Sequence, residues 1–141
     1  MTDRSVREWM TSDPIIINSR QTLPDAYRLM IGNNIRRLLV VDDGELVGIV
    51  TMRDLMQVEP PRNLGLNVIH INDILSNLPV HSFMTPDPKT ISPTDSLMEA
   101  AKLMLEEKIS GLPVMEGDHL VGIITESDIF RAFVALESQS A

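Results

Sequence analysis

Apolar and polar residues follow two different periods along this chain, and the order of the periods repeats. Short apolar runs of strand length are bounded by Asp-Pro, Asp-Gly and Gly-Asp pairs, which favour turns. Between these runs, leucine, alanine and methionine recur every three or four residues, which is typical of an amphipathic helix. Each half of the chain is therefore predicted to form a strand, a helix, two strands and a closing helix.

The predicted elements have recognisable boundaries in both halves. "DPIIINS" and "DPKTISP" are read as short strands, and capping boxes starting at Thr22 and Ser96 mark the helices that follow. The runs "LLVV" and "ELVGIV" flank "DDG", and "LPVM" and "HLVGII" flank "EGD". Both arrangements predict a hairpin whose turn contains Gly or Asp.

The two halves are copies of one another. A shift of 74 residues places Val6 on Val80 and Met56 on Phe130 with no gap between them. Identical residues recur along the whole alignment, including Gly48 with Gly122, Thr51 with Thr125 and Asp54 with Asp128. This period is longer than the 20 to 50 residues of solenoid repeats, so the sequence predicts one pseudo-symmetric pair.

The duplication divides the chain into four segments. The first repeat covers residues 1–58, a linker with a short docking helix covers 59–79, the second repeat covers 80–136, and 137–141 form a tail. The linker begins with the Pro/Gly segment "VEPPRNLG", and "LNVIHINDILSNLP" supplies the helix. Each repeat opens on an apolar lead-in, "VREWM" or "VHSFM", whose Trp9 or Phe83 is expected to fasten it to a sheet.

A Thr-x-x-Asp box follows the last apolar run of each repeat, as Thr51 to Asp54 and Thr125 to Asp128. One interpretation is a capping box, in which Thr and Asp satisfy unpaired N–H groups at a helix start. The other is a ligand site, because the same N–H groups attract anions and strand carboxyl ends position ligands. The recurrence in both copies and the preceding Gly48 or Gly122 favour the ligand, and both interpretations remain open.

Composition narrows the possible functions. With 141 residues and 43% hydrophobic content, the chain can bury a core. Its net charge of -8 argues against nucleic-acid or anionic-membrane partners. The polar start and the lack of any long apolar run predict a cytoplasmic protein.

No catalytic or metal-binding group emerges from the residues. The chain has no Cys, and His70, His81 and His119 lack the spacing of metal ligands. Ser, His and Asp are never grouped as in a nucleophile elbow. We therefore expect no enzyme activity, no catalytic or metal-ligating residues and no required cofactor.

The segments "IRRLLVVDDGELVGIVTMRDL" and "ISGLPVMEGDHLVGIITESDI", each preceded by its lead-in, resemble a tandem pair of cystathionine-β-synthase (CBS) domains. This pair, or Bateman module, is similar to the stand-alone bacterial type of acetoin-utilisation proteins. The resemblance implies an α/β (α+β) fold, with two βαββα repeats packed sheet-to-sheet in pseudo-two-fold symmetry. It also implies a homodimer associated through its helices.

The family implies two clefts that bind AMP, ADP, ATP or S-adenosylmethionine as regulatory ligands. Occupancy would be transmitted to a separate target protein, which the sequence does not identify. The alternative is a ligand-free dimerisation scaffold with degenerate clefts. The implied ligand-binding residues are Ile17, Arg37, Thr51, Arg53, Asp54, Thr90, Ile91, Ser110, Gly111, Pro113, Thr125, Ser127 and Asp128.

Carried over by position, Asp54 and Asp128 would hold ribose hydroxyls. Thr51 and Thr125 would lie beside the phosphate or ribose, and Arg53 and Ser127 would face the phosphate. The base would lie between the first strand, near Ile17 or Thr90 and Ile91, and the turn into the second strand.

The two copies differ where the base would lie. The second has the small Ser110 and Gly111 with Pro113, whereas the first has Arg36 and Arg37. Arg37 either blocks the first cleft or donates to a phosphate. Residues 1–70 carry a net charge of -1 and residues 71–141 carry -7. The first copy is therefore predicted to suit a multiply charged phosphate, and the second a weakly charged or cationic adenosyl group.

Overall fold

The computed structural model describes residues 4–58 and 68–140. It forms two compact units. The first unit is the continuous segment Ile15–Asp87, and the second unit combines Met1–Pro14 with Pro88–Ala141. Both units contain a sheet and helices, which confirms the predicted mixed α/β class.

Strands and helices are each numbered along the whole chain. The strands are β1 (Thr11–Ser12), β2 (Ile16–Ile17), β3 (Arg37–Asp42), β4 (Glu45–Thr51), β5 (Thr85–Pro86), β6 (Gly111–Glu116) and β7 (His119–Thr125). The helices are α1 (Val6–Trp9), α2 (Leu23–Gly32), α3 (Met52–Met56), α4 (Val68–Ser76), α5 (Leu97–Glu107) and α6 (Glu126–Ser140), with a 3₁₀ helix at Val80–Ser82.

The sheets of the two units follow the same plan. In the first unit the strand order is β2-β3-β4-β5, with β2 parallel to β3 and the other pairs antiparallel. In the second unit the order is β1-β7-β6, and the place of β2 is taken by a single parallel bridge between Ile91 and Val114. The strand predicted in "DPKTISP" is therefore reduced to one bridge.

The hydrophobic cores repeat the duplication residue by residue. Seven buried positions of the first core have partners 74 residues away in the second. The pairs are Ile17 with Ile91, Ala26 with Ala100, Met30 with Met104, Leu38 with Leu112, Val40 with Val114, Val50 with Ile124, and Val80 with Val6. In the last pair, Val6 belongs to the first repeat but lies in the second unit, and Val80 belongs to the second repeat but lies in the first unit.

The lead-in segments are thus exchanged between the repeats. Strand β1 pairs with β7, and Trp9 packs against the second core. Reciprocally, β5 pairs with β4, and Phe83 packs against the first core. Each aromatic residue does contact a core, as expected, but it is the core of the other repeat.

Local elements agree closely with the sequence pattern. The first hairpin turns through Asp43 (φ 49°) and Gly44 (φ 82°), and the second turns with a positive φ of 61° at Gly117. These values match the two primed turns of short hairpins. Helix α4 forms in the linker, whereas residues 59–65 of "VEPPRNLG" lie outside the described residues.

The C-terminal helix is longer than the short closing helix that the sequence predicted. It continues to Ser140, through most of the segment 137–141 that was assigned to a tail. Its apolar residues explain the extension, because Ala132 and Leu136 recur at helical spacing and both are buried. Helix α3, at the equivalent position in the first repeat, ends at Met56.

The capping box of α2 makes stability depend on pH. The Thr22 backbone N–H donates to Asp25 at 3.0 Å, and Arg28 donates to the other oxygen at 2.7 Å. The hydrogen bond from the Thr22 backbone, more than the nearby Arg28, holds the pKa of Asp25 below its ordinary value. The unfolded carboxylate therefore takes up a proton first as the pH falls, so this stabilisation is complete at neutral pH and is lost in acid.

We expect Asp25→Asn to make unfolding less sensitive to acid. As the pH falls from 7 through about 4 to below the folded pKa, wild type should lose more stability than the variant. Urea unfolding at a series of pH values measures this difference. Asp118→Asn, at an exposed turn, is the charge-matched control and should behave like wild type. Equal acid dependence of wild type and Asp25→Asn would contradict the assignment.

Candidate functional site

Both Thr-x-x-Asp boxes form complete helix caps. In the first unit the Thr51 N–H donates to Asp54 Oδ2 at 2.8 Å, and the Asp54 N–H donates to Thr51 Oγ1 at 3.2 Å. In the second unit the equivalent distances between Thr125 and Asp128 are 2.9 and 3.4 Å. The capping interpretation of the boxes is therefore confirmed.

The cap uses only one oxygen of each carboxylate. Oδ2 of Asp54 accepts the cap hydrogen bond, and no hydrogen bond to its Oδ1 is formed within the described part of the chain. In the second unit, Oδ2 of Asp128 accepts from both the backbone and the hydroxyl of Thr125. A carboxylate oxygen has spare lone pairs, so a cap and a ligand contact are compatible on the same side chain.

Each box lies beside the start of the neighbouring strand. In the first unit Thr51 pairs with Arg37, and the Met52 N–H donates to the Arg36 carbonyl at 2.7 Å. Arg37 is half-buried and Arg53 is exposed. The predicted residues Arg37, Thr51, Arg53 and Asp54 are thus brought together at one edge of the first sheet.

The second unit has the same arrangement with smaller side chains. Thr125 pairs with Gly111, and the Glu126 N–H donates to the Ser110 carbonyl at 3.0 Å. Ser127 is exposed, whereas the whole of Asp128 is only 3% exposed. The second edge therefore presents no arginine in the places of Arg37 and Arg53.

Two of the three first-strand residues predicted to lie near the base, Ile17 and Ile91, point into the cores. Ile17 and Ile91 are 2% and 6% exposed and belong to the two core clusters. Because strand side chains alternate, the preceding residues, Ile16 and Thr90, face outward. Any contact made by Ile17 or Ile91 would therefore come from the backbone.

Pro113, the remaining predicted ligand-binding residue of the second unit, contacts the others through its carbonyl. The Ile91 N–H donates to Pro113 O at 3.0 Å, which holds the first strand against the second. The side chain of Pro113 is buried. Thr90, Ile91, Ser110, Gly111, Pro113, Thr125, Ser127 and Asp128 thus form a connected set within the second unit.

Gly48 and Gly122 have a structural role that the sequence interpretation missed. A Cβ at Gly48 would lie 2.5 Å from Met84 Sδ, and one at Gly122 would lie 2.7 Å from the Thr11 carbonyl. Because they have no side chain, both glycines therefore leave room for the exchanged lead-in strands to pair closely with β4 and β7. Their presence before each box is explained without a ligand, and it no longer supports the ligand interpretation.

One polar contact near the second box was also missed. Arg131 donates through Nη2 to Oδ1 of Asp128, the oxygen that the cap leaves available. The signal was present in the sequence, because an acid and an arginine three residues apart face each other on a helix. The equivalent position in the first repeat is Gln57.

Residues 4–58 and 68–140 contain neither a metal-ligand cluster nor a membrane-spanning helix. No group of three His, Cys, Asp or Glu side chains in these ranges is placed to hold a metal ion. No helix in them combines the length and the apolar character needed to cross a membrane.

Comparison with known proteins identifies two copies of one domain. The CBS domain family model matches residues 6–60 and 80–135. A CBS domain-containing protein of Dictyostelium discoideum is 38% identical, over 92% of this chain and 90% of that protein. By contrast, the chain spans only 46% and 34% of the lengths of two uncharacterised relatives from Methanocaldococcus jannaschii.

Solved structures share the fold over nearly the whole chain. A Vibrio cholerae protein ascribed to acetoin utilization has a TM-score of 0.77 and 34% identity, covering 96% of this chain and 95% of its own. CBSX2 of Arabidopsis thaliana, in complex with AMP, has a TM-score of 0.77 and 28% identity, with coverages of 96% and 99%.

Proposed function

The chain belongs to the CBS domain family, and from this premise we propose that it is a regulatory module that binds adenosine-containing ligands through its two Thr-x-x-Asp edges. One observation carries the proposal. In each unit the predicted ligand-binding residues lie around an Asp carboxylate, and the Oδ1 oxygen of that carboxylate takes no part in the helix cap. A pair of ribose hydroxyls requires such an acceptor. The ligand acts as a regulator and no catalytic step is involved.

The relatives support the ligand class. AMP is bound in the structure of CBSX2. A further CBS domain pair, 28% identical with a TM-score of 0.76, was crystallised with 5′-methylthioadenosine and S-adenosyl-L-methionine, covering 93% of this chain and 96% of its own. All three ligands contain adenosine and differ at the 5′ position. The adenosyl part is therefore the shared feature on which the proposal for this chain rests.

The two edges are proposed to differ in the charge that they accept. Arg53 is exposed next to the first box, and Arg37 lies opposite it, so that edge suits a phosphate. At the second edge Ser127 replaces Arg53, and Glu126 adds a negative charge. This edge suits a 5′ group that is uncharged or cationic, as in S-adenosylmethionine.

The helices support a proposed homodimer. Ile31 and Leu105 are equivalent helix positions and are 59% and 79% exposed, and Met56 and Phe130 are a second equivalent pair at 77% and 64%. Large apolar side chains exposed at matching places in both repeats are typical of association surfaces. Analytical ultracentrifugation measures the oligomeric state directly. The target of the regulation is a separate protein in the cytoplasm.

A ligand-free scaffold is the second candidate function. The completed caps favour it, because both boxes satisfy their helix ends without any ligand. In that case the exposed helix positions would carry the whole function, and the two carboxylates would serve folding alone.

We expect adenosine-containing ligands to raise the melting temperature, and AMP, ADP, ATP and S-adenosylmethionine form the panel. A ligand at a hundred times its dissociation constant adds about 2.7 kcal/mol, which is several degrees for a domain of this size. Thermal unfolding measures the shift, with GMP and IMP as controls. A rise in melting temperature with only the adenosine-containing ligands supports the proposed regulatory module.

Variants separate the ligand role of the carboxylates from their capping role. Asp54→Asn and Asp128→Asn should reduce the ligand response, because an amide group cannot accept at both atoms. Asp25→Asn alters a capping box that lies outside the candidate edges, so it should keep the full response. Loss of a cap costs about 0.5–2 kcal/mol. An absence of response to every ligand in wild type would favour the scaffold.

A further inference from the structure

The two proposed ribose acceptors are not equivalent. Asp128 is buried, with its side chain 4% exposed, and both of its oxygens are engaged. Oδ2 belongs to the cap of α6, and Oδ1 accepts from Arg131, whose side chain is 65% exposed. Oδ1 of Asp128, the oxygen that the cap does not use, is therefore covered by the mostly exposed side chain of Arg131.

The first repeat lacks this cover. The residue three positions after Asp54 is Gln57, which is exposed and lies at the C-cap of α3 with a helical backbone (φ −94°, ψ −3°). Glutamine is neutral, so it cannot form an ion pair with the carboxylate. Within the described residues, Oδ1 of Asp54 has no hydrogen-bond partner.

We propose that Arg131 competes with the ribose of an adenosine-containing ligand for Oδ1 of Asp128 and so lowers the affinity of the second edge relative to the first. This inference rests on the proposed function. A ribose diol needs the oxygen that the cap leaves available, and at the second edge it must displace the guanidinium. At the first edge the equivalent Oδ1, on the half-buried Asp54, has no hydrogen-bond partner among the described residues.

The size of the effect follows from the exposure of the arginine. An ion pair with one partner mostly in water is weak and is screened by salt. Its removal should therefore tighten binding by about two- to fivefold. The gain should shrink as the salt concentration rises. At a given ligand concentration, the second edge would then be less occupied than it would be without Arg131.

The test is calorimetric titration of the full chain with 5′-methylthioadenosine and with AMP. Because 5′-methylthioadenosine has no phosphate, Arg131 cannot gain a compensating ion pair with it. We expect Arg131→Gln to tighten 5′-methylthioadenosine binding by about two- to fivefold at low salt, and Arg131→Lys to stay closer to wild type. The reciprocal variant, Gln57→Arg, should weaken binding to the first edge by a similar factor.

The outcomes separate this inference from the proposed function. If Asp128→Asn reduces binding while Arg131→Gln leaves it unchanged or weaker, Arg131 does not compete, and the adenosyl site still stands. A tightening that is equally large at high salt would also overturn the competition, because an ion pair must be screened. If wild type and all variants bind neither ligand, the proposed function fails and this inference fails with it.

Discussion

Gly122→Val should be among the most destabilising single substitutions in this protein. Its Cβ would lie 2.7 Å from the Thr11 carbonyl and 2.8 Å from Met10 Sδ. The first contact is with backbone that is paired with β7, so it cannot move away without breaking the pairing of β1. Overpacking of this kind costs about 1–3 kcal/mol, and we expect the upper end because the added methyl groups of valine enlarge the clash.

Urea unfolding of Gly122→Val measures the loss. Gly32→Ala is the matched control, because nothing lies within 4 Å of a Cβ at this position, which is in α2. Alanine has a higher helix propensity than glycine, so the control should be neutral or stabilised by up to about 1 kcal/mol. Wild-type stability of Gly122→Val would show that the lead-in does not lie against β7 in solution.

The second prediction with a large effect compares the stability of two fragments of the chain. We expect a fragment of residues 15–87 to be considerably more stable than a fragment of residues 1–74, although their lengths are nearly equal. The first fragment contains the whole first unit. The second lacks the fully buried Val80 and strand β5, which pairs with β4. It retains Val6 and Trp9, whose packing partners lie in the second unit.

The expected difference is several kcal/mol. Burial of one Val side chain contributes about 1.5–3 kcal/mol. The hydrogen bonds from Leu23 N–H to Leu78 O and from Val80 N–H to Gln21 O are lost as well. Urea unfolding followed by circular dichroism compares the fragments, and Val80→Ala in fragment 15–87 isolates the contribution of one side chain. Greater stability of fragment 1–74 would show that the sequence repeat, and not the exchanged unit, is what folds.

Elements determined by neighbouring residues could be predicted from the sequence. The helix starting after Thr22 and the turn at Asp43 and Gly44 depend on hydrogen bonds and dihedral angles within a few residues. The Thr-x-x-Asp boxes formed caps for the same reason. The duplication was equally visible, because equivalent core positions keep the same residue type in both halves.

The candidate site could be predicted only in part. The pairing of Arg37 with Thr51 and of Gly111 with Thr125 follows from the hairpin register, so these residues were placed together correctly. The inward orientation of Ile17 was missed, because β2 contains two residues and too few alternations to show which side is buried.

Repeats, helix caps and hairpins are thus encoded locally, and the sequence was enough to establish them. The exchange of the lead-in segments was settled by pairing between distant parts of the chain. Strands β1 and β5 are each two residues long, and such short strands carry no periodic signal that identifies a partner. Gly48 and Gly122 mark where β4 and β7 pair with those strands. The reason for a glycine in a strand becomes clear only when the neighbouring backbone is known.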